Sequence, residues 1–93
     1  MDLDMRERIR RATAVLRAAG AREVYVFGSA ATGKLREDSD IDLAVSGLPP
    51  ERFFEAMGKA EDALGLTLDL VDLDEESHFT RYLRDEGELQ RVG

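Results

Sequence analysis

The chain contains no cysteine, only two prolines and a single histidine, His78. Without cysteine there is neither a disulfide framework nor a zinc–thiolate site. No apolar run approaches the length needed to span a bilayer. The opening Met1-Asp2-Leu3-Asp4 lacks the basic-then-apolar order of a secretory signal. These absences set the expectation of a cytoplasmic protein with no membrane segment. Positive charge is also scarce, with 13 basic against 20 acidic side chains and a net charge of −7. Such a surface repels phosphate backbones, so extended nucleic-acid binding is not expected. A nucleotide is not excluded, because a divalent cation reverses the local field at a carboxylate cluster. The 93 residues are expected to form one domain, 1–93, near the lower end of what folds without a staple.

What is present is strongly periodic. Met5, Ile9, Ala12, Leu16 and Ala19 recur at steps of four and three, one stripe of a helix that Gly20 terminates. The arginines from Arg6 to Arg11 lie beside that stripe and read most simply as a solvated face. Val24-Tyr25-Val26-Phe27 is a β-branched and aromatic run ending at Gly28, a buried strand. Ser29 is placed to cap a turn of helix, Ala30-Ala31-Thr32, closed by Gly33, and Lys34 to Ser39 reads as a loop. From Asp40 to Ser46 the pattern alternates, Ile41, Leu43 and Val45 on one face, Asp40, Asp42 and Ala44 on the other. Pro50 opens a helix whose buried side is marked by Phe53, Phe54, Met57, Ala60 and Leu64, with Gly65 at its end. Leu66, Leu68 and Leu70 alternate with Thr67, Asp69 and Val71 in a third strand. Asp74 can cap a last helix carrying Phe79, Tyr82 and Leu83, which Gly87 ends, and Glu88 to Gly93 reads as a tail. The expected fold is α/β (α+β), a small mixed sheet with helices packed mainly on one face. The short link between the first two strands suits an antiparallel pair, and the helical crossover to the third suits a parallel one.

The chemistry concentrates in one constellation. Acids at i and i+2 on a strand share a face, their backbones roughly 6.5–7 Å apart, so the carboxylates of Asp40 and Asp42 can converge. Asp69, opposite its leucines on another strand, can add a third oxygen donor. Like charges on one face destabilise unless a cation sits between them, and hard oxygen ligands select Mg²⁺, with Mn²⁺ as the alternative. At the end of the first strand, Gly28 permits close backbone approach, and the helix start at Ser29 presents amides to an anion. Taken singly, each feature has an ordinary explanation: a cap at Gly28-Ser29, a turn at Asp40. Asp72 reads as a turn or cap acid, His78 as a surface residue, and Phe79 and Tyr82 as core or interface.

Spacing joins these features. Gly28-Ser29, ten residues and Asp40-Ile41-Asp42 form a GS-x10-DxD pattern. Ser39-Asp40-Ile41-Asp42-Leu43 and Thr67-Leu68-Asp69-Leu70-Val71 resemble the two carboxylate strands of the minimal nucleotidyltransferases of the DNA polymerase β superfamily. The resemblance spans about Val24 to Val71. It implies the polymerase β-like nucleotidyltransferase fold, with Asp40, Asp42 and Asp69 as catalytic metal ligands and Asp69 as proton acceptor. It also implies Gly28 and Ser29 on the phosphates of ATP or another nucleoside triphosphate. Family members carry a basic residue soon after the Gly-Ser pair. Here Ala30, Ala31 and Thr32 stand instead, and the expected substitute is Lys34 or Arg36, or else a residue of a partner chain. Stand-alone members of this size pair with small HEPN-type helical proteins in toxin–antitoxin modules. The resemblance therefore implies an antitoxin that transfers AMP to a tyrosine of such a partner. Two other readings stay open: an aminoglycoside-type small-molecule nucleotidyltransferase, and a non-catalytic module that neutralises its partner by contact.

Overall fold

The computed structural model of the chain describes residues 3–28, 40–87 and 89–93. The expected capping turn at Ser29 to Gly33 and the loop with Lys34 and Arg36 lie outside the described residues. The amphipathic stripe at the start becomes helix α1, Leu3–Ala18, burying Met5, Ile9, Ala12, Thr13 and Leu16. Its arginines do form a solvated face, paired to acids one turn away: Arg8 with Asp4 at 3.1 Å and Arg10 with Glu7 at 2.6 Å. Such exposed pairs are screened by solvent and contribute little to stability.

Strand β1, Glu23–Phe27, runs antiparallel to β2, Ile41–Ser46, and β2 runs parallel to β3, Leu68–Asp72. The order across the sheet is β3-β2-β1-β4, with β4 the two residues Gln90–Arg91. This fourth strand corrects the expectation of a tail. The Val92 amide donates to the Val24 carbonyl at 2.8 Å, and the Val24 amide donates to the Gly93 carbonyl at 2.9 Å. The segment carries no alternating pattern. Its strand character comes from the open edge of β1, whose backbone groups need partners.

Between β2 and β3 the chain makes a short 3₁₀ turn, Pro50–Arg52, then helix α2, Phe53–Leu64. Gly65 closes α2 in the left-handed conformation, φ 70°, its amide donating to the Glu61 carbonyl at 2.9 Å. Across the helix pair, the Arg8 guanidinium donates to the Leu64 carbonyl at 3.3 Å, a cation at the negative end of α2. Helices α1 and α2 together cover one face of the sheet. Their buried residues join Val24, Val26, Ile41, Leu43, Val45, Leu68 and Leu70 in the main core. Within α2 the buried side is Ala56, Ala60 and Leu64, while Phe54 is 77% exposed, against expectation. Small residues there let the helix lie close to its neighbours, and Phe54, one position past the half-buried Phe53, is rotated out.

The second face has its own smaller core. Helix α3, His78–Asp85, sets Leu83 against Ala44 and Leu73, with Tyr25, Phe27, Val71 and Leu89 packed around them. Ala44 is therefore fully buried. Only the Asp42 end of that face stays available for chemistry. Ser77, not Asp74, caps α3: the Thr80 amide donates to Ser77 Oγ at 3.1 Å, and the Ser77 amide donates to Thr80 Oγ1 at 3.0 Å. The Asp74 carboxylate is engaged elsewhere, accepting from the Gly47 amide at 2.6 Å and the Ser46 hydroxyl at 2.9 Å. It ties the exit of β3 to the exit of β2. Asp72 serves the same turn, its Oδ1 accepting from the Asp74 amide at 2.9 Å. Among the described residues no helix is long and apolar enough to cross a membrane.

Asp74 sets a pH dependence of stability. The Gly47 amide, then the Ser46 hydroxyl and the nearby Arg84 and Arg22, hold its carboxyl below the ordinary carboxylate value. A depressed pKa contributes stability that is present above the unfolded-state pKa and lost as pH falls through the folded one. Asp74→Asn is expected to cost about 1 kcal/mol at neutral pH, the value of a charged hydrogen bond discounted for exposure. Urea unfolding should show the variant and wild type converging as pH falls below the ordinary carboxylate range.

Candidate active site

The site grows out of strand register. Pairing of β1 with β2 puts Phe27 opposite Asp42, and pairing of β2 with β3 puts Asp42 opposite Asp69. Val24, Val26, Ile41, Leu43, Val45, Leu68 and Leu70 of the same strands face α1 and α2, so alternation delivers both aspartates to the opposite face. Asp40 directly precedes β2 and is exposed, as is Asp69, while Asp42 between them is half-buried. Three sequence-selected carboxylates thus gather at one end of one face, beside the Gly28 turn that ends β1.

Electrostatics single out Asp42. Burial, then the negative charges of Asp69 and Asp40, raise its pKa above the ordinary value. Each neighbouring carboxylate makes the ionised form of Asp42 less favourable. Among the described residues no group of three His, Cys, Asp or Glu is drawn together closely enough to hold a metal ion by itself. The arrangement is an open array of oxygen donors, two on adjacent strands and one flanking them. That donor chemistry fits magnesium, which keeps water and substrate phosphate oxygens among its ligands.

Gly28 has a second reason to be glycine. Its φ is +65°, and a Cβ built there would lie 2.5 Å from Asp42 Oδ2. The backbone at the end of β1 therefore passes directly against the carboxylate of β2, closer than any other residue type permits. The sequence alone pointed to close approach of a ligand; the structure adds close approach of Asp42. Ser29 and Lys34, the other expected phosphate contacts, lie outside the described residues.

Two neighbours of the site were not selected as site residues from sequence. Phe27 adjoins Asp42 through register alone. Phe79, read as core or interface, is 49% exposed and meets Phe27 edge-on at 6.3 Å between ring centroids. Its only sequence signal is an aromatic at the start of the last helix, which core packing explains equally well. Tyr82 and His78 are exposed, as expected for His78.

Two outcomes check this geometry. Because the pKa of Asp42 is raised, its contribution to stability is present below the unfolded-state pKa and lost as pH rises through the folded value. Without metal or nucleotide, Asp42→Asn should therefore be more stable than wild type at neutral pH. The gain should be up to about 1 kcal/mol, the scale of a like-charge pair on neighbouring strands, and should vanish in acid. Calorimetry across pH measures it; a variant that is less stable at neutral pH contradicts the assigned repulsion. Gly28→Ala should cost roughly 1–2 kcal/mol for the left-handed backbone, plus a further amount for the collision with Asp42. In an Asp42→Ala background only the backbone cost should remain, so the double-mutant cycle should show a coupling above about 0.5 kcal/mol.

Comparison with known proteins follows the same lines. Residues 14–89 match the family described as Polymerase beta, Nucleotidyltransferase. The protein adenylyltransferase MntA of Thermococcus cleftensis is 44% identical over 55 residues. That alignment covers 56% of this chain and 56% of that protein, so the chain spans little more than half the length of this relative. The solved structure of a minimal nucleotidyltransferase is similar over 100% of this chain and 96% of that one, with TM-score 0.74 and 30% identity. A chain from the complex of a tri-AMPylated Shewanella oneidensis HEPN toxin with an MNT antitoxin is similar with TM-score 0.59 and 28% identity. That match covers 78% of this chain and 59% of the other.

Proposed function

This chain belongs to the Polymerase beta nucleotidyltransferase family, and from that premise we propose that it is a magnesium-dependent protein adenylyltransferase acting as an antitoxin. Its donor is ATP, and its acceptor is a tyrosine hydroxyl of a HEPN-type partner toxin. The observation that carries the reading is the register pair Asp42↔Asp69, set beside Asp40 and against the Gly28 backbone. No structural purpose is served by placing like charges side by side there. The reading is supported by the adenylyltransferase name of the Thermococcus relative and by the AMPylated toxin in the complex with the MNT antitoxin.

In this mechanism the Gly28 backbone, with Ser29 and Lys34, receives the triphosphate, and Asp40, Asp42 and Asp69 would hold the magnesium ion. When bound, that ion would supply charge neutralisation at the carboxylates and polarisation of the reacting phosphoryl group. The acceptor oxygen forms a bond to the α-phosphorus as the bond from that phosphorus to the bridging oxygen breaks, and pyrophosphate leaves. Asp69, exposed at the outer strand of the sheet, takes the proton from the acceptor hydroxyl. Burial and then the charges of Asp69 and Asp40 raise the pKa of Asp42, and ligand binding would relieve that repulsion in the apo site.

The second reading, neutralisation by contact alone, draws on the lack of a preformed three-carboxylate cage among the described residues. One assay separates the two: transfer of labelled AMP from MgATP to a co-expressed HEPN-type partner, with mass spectrometry of the modified residue. Wild type should label a tyrosine, and EDTA should abolish labelling. Asp69→Asn should bind the partner but transfer about 10²–10⁴-fold more slowly. If wild type labels nothing while both forms neutralise the partner equally, contact is the function.

A further inference from the structure

One cleft adjoins the site and has no part in the reading above. It holds about 440 Å³, and its lining includes Phe54 of α2, Phe79 of α3 and Leu70 and Val71 of β3. Helices α2 and α3 lie on opposite faces of the sheet, so a cleft touching both sits at the edge of the sheet. That edge is β3, which has a single described neighbour, β2. Leu70 and Val71 follow Asp69 directly in the chain, so the cleft and Asp69 share one strand, and Asp72, Glu75 and Pro50 carry the cleft on toward the strand exits.

Three features of this cleft point to an occupant. Phe54 is 77% exposed and Phe79 is 49% exposed. Phe79 meets Phe27 and Phe54 meets Phe53 only edge-on, and large exposed aromatics at a common groove mark a recognition site more often than a solvated wall. Among the described residues, the charged groups lining the cleft are Asp72 and Glu75, with no lysine or arginine, so their field favours a cation. The third feature is direction. In-line displacement at phosphorus places the entering oxygen opposite the leaving one. With the triphosphate at Gly28, on the β1 side of Asp42, the leaving pyrophosphate lies toward β1. The entering hydroxyl must then come from the β3 side, where the cleft opens.

We propose that the edge cleft between Phe54 and Phe79 is the acceptor-docking site, and that it takes an extended basic segment of the acceptor protein. An apolar side chain of that segment sits between the two phenylalanines, its cationic residues face Asp72 and Glu75, and its hydroxyl reaches Asp69. The inference rests on the nucleotidyltransferase reading for its direction argument, but the surface is testable without catalysis. A nucleobase held by the same aromatics is the competing occupant.

The test uses the full chain and a fluorescein-labelled synthetic peptide containing tyrosine, leucine, lysine and arginine, with a control in which glutamate replaces every basic residue. Anisotropy is measured without nucleotide, and MgATP affinity is measured separately. Wild type should bind the basic peptide, increasingly weakly as salt rises, and should not bind the acidic one. Phe54→Ala, at a position too exposed to matter for folding, and Glu75→Lys should each weaken peptide binding about fivefold or more. MgATP affinity should stay within about twofold of wild type. Equal binding of both peptides, or peptide binding unchanged in both variants, overturns the proposal. A loss of MgATP affinity in Phe54→Ala with peptide binding intact overturns it in favour of a nucleobase site. Peptide binding that responds to the variants while no AMP is transferred to a HEPN-type partner leaves the docking site standing and removes the adenylyltransferase reading instead.

Discussion

The parallel pairing of β2 with β3, in the register that sets Asp42 against Asp69, is the constraint on which the rest of this molecule depends. Side by side on neighbouring strands, the two carboxylates repel, and Asp40 adds to the repulsion. The strands cannot slip to escape it. A shift of one residue would turn Ile41, Leu43, Leu68 and Leu70 out of the core and the aspartates into it. Burial of those apolar chains, each a gain of roughly 1.5–3 kcal/mol, outweighs a like-charge penalty of at most about 1 kcal/mol. The hydrophobic face therefore holds the chemical face in a geometry it would not choose.

Several smaller interactions serve the same end. Asp74 joins the exits of β2 and β3 through Ser46 and Gly47, fixing the far end of the pair whose near end carries the aspartates. Gly28 brings the end of β1 against Asp42, where a side chain has no room. Helix α3 closes the Ala44 and Leu73 end of the second face with Leu83. Chemistry is thereby confined to one end of one face, with Phe27 and Phe79 as its apolar border.

The proposed acceptor cleft follows from the same topology. A sheet ordered β3-β2-β1-β4 puts the Gly28 turn and Asp69 on opposite sides of Asp42. One side is then assigned to the triphosphate and the other to the nucleophile. The acidic lining at Asp72 and Glu75 disfavours a second polyphosphate there and favours a cationic chain. In the proposed reading, a protein of net charge −7 would take a basic partner at this cleft and, at the carboxylate site, a nucleotide carried with its metal.

The sequence by itself determined the three longer strands and the helices around them and the face on which Asp42 and Asp69 lie, because period 2 in Asp40–Ser46 and Leu66–Val71 and period 3.6 in α1 are local properties of the chain. The spacing from Gly28 to Asp42 likewise carried the family resemblance without any structure. Features that depend on what lies across the fold were not legible. Ala44 shares a face with Asp42, yet it is buried, because α3 returns over that end of the sheet. Phe54 reads as core by composition, but Ala56 and Ala60 take the close packing and leave it outside. Asp74 and Ser77 are both competent caps, and only the proximity of Gly47 decides which one α3 receives. The segment Gln90–Arg91 becomes a strand because β1 has an open edge beside it. In each case a local pattern allowed more than one outcome, and the choice was made by a partner distant in sequence whose burial or hydrogen-bonding demand had to be met.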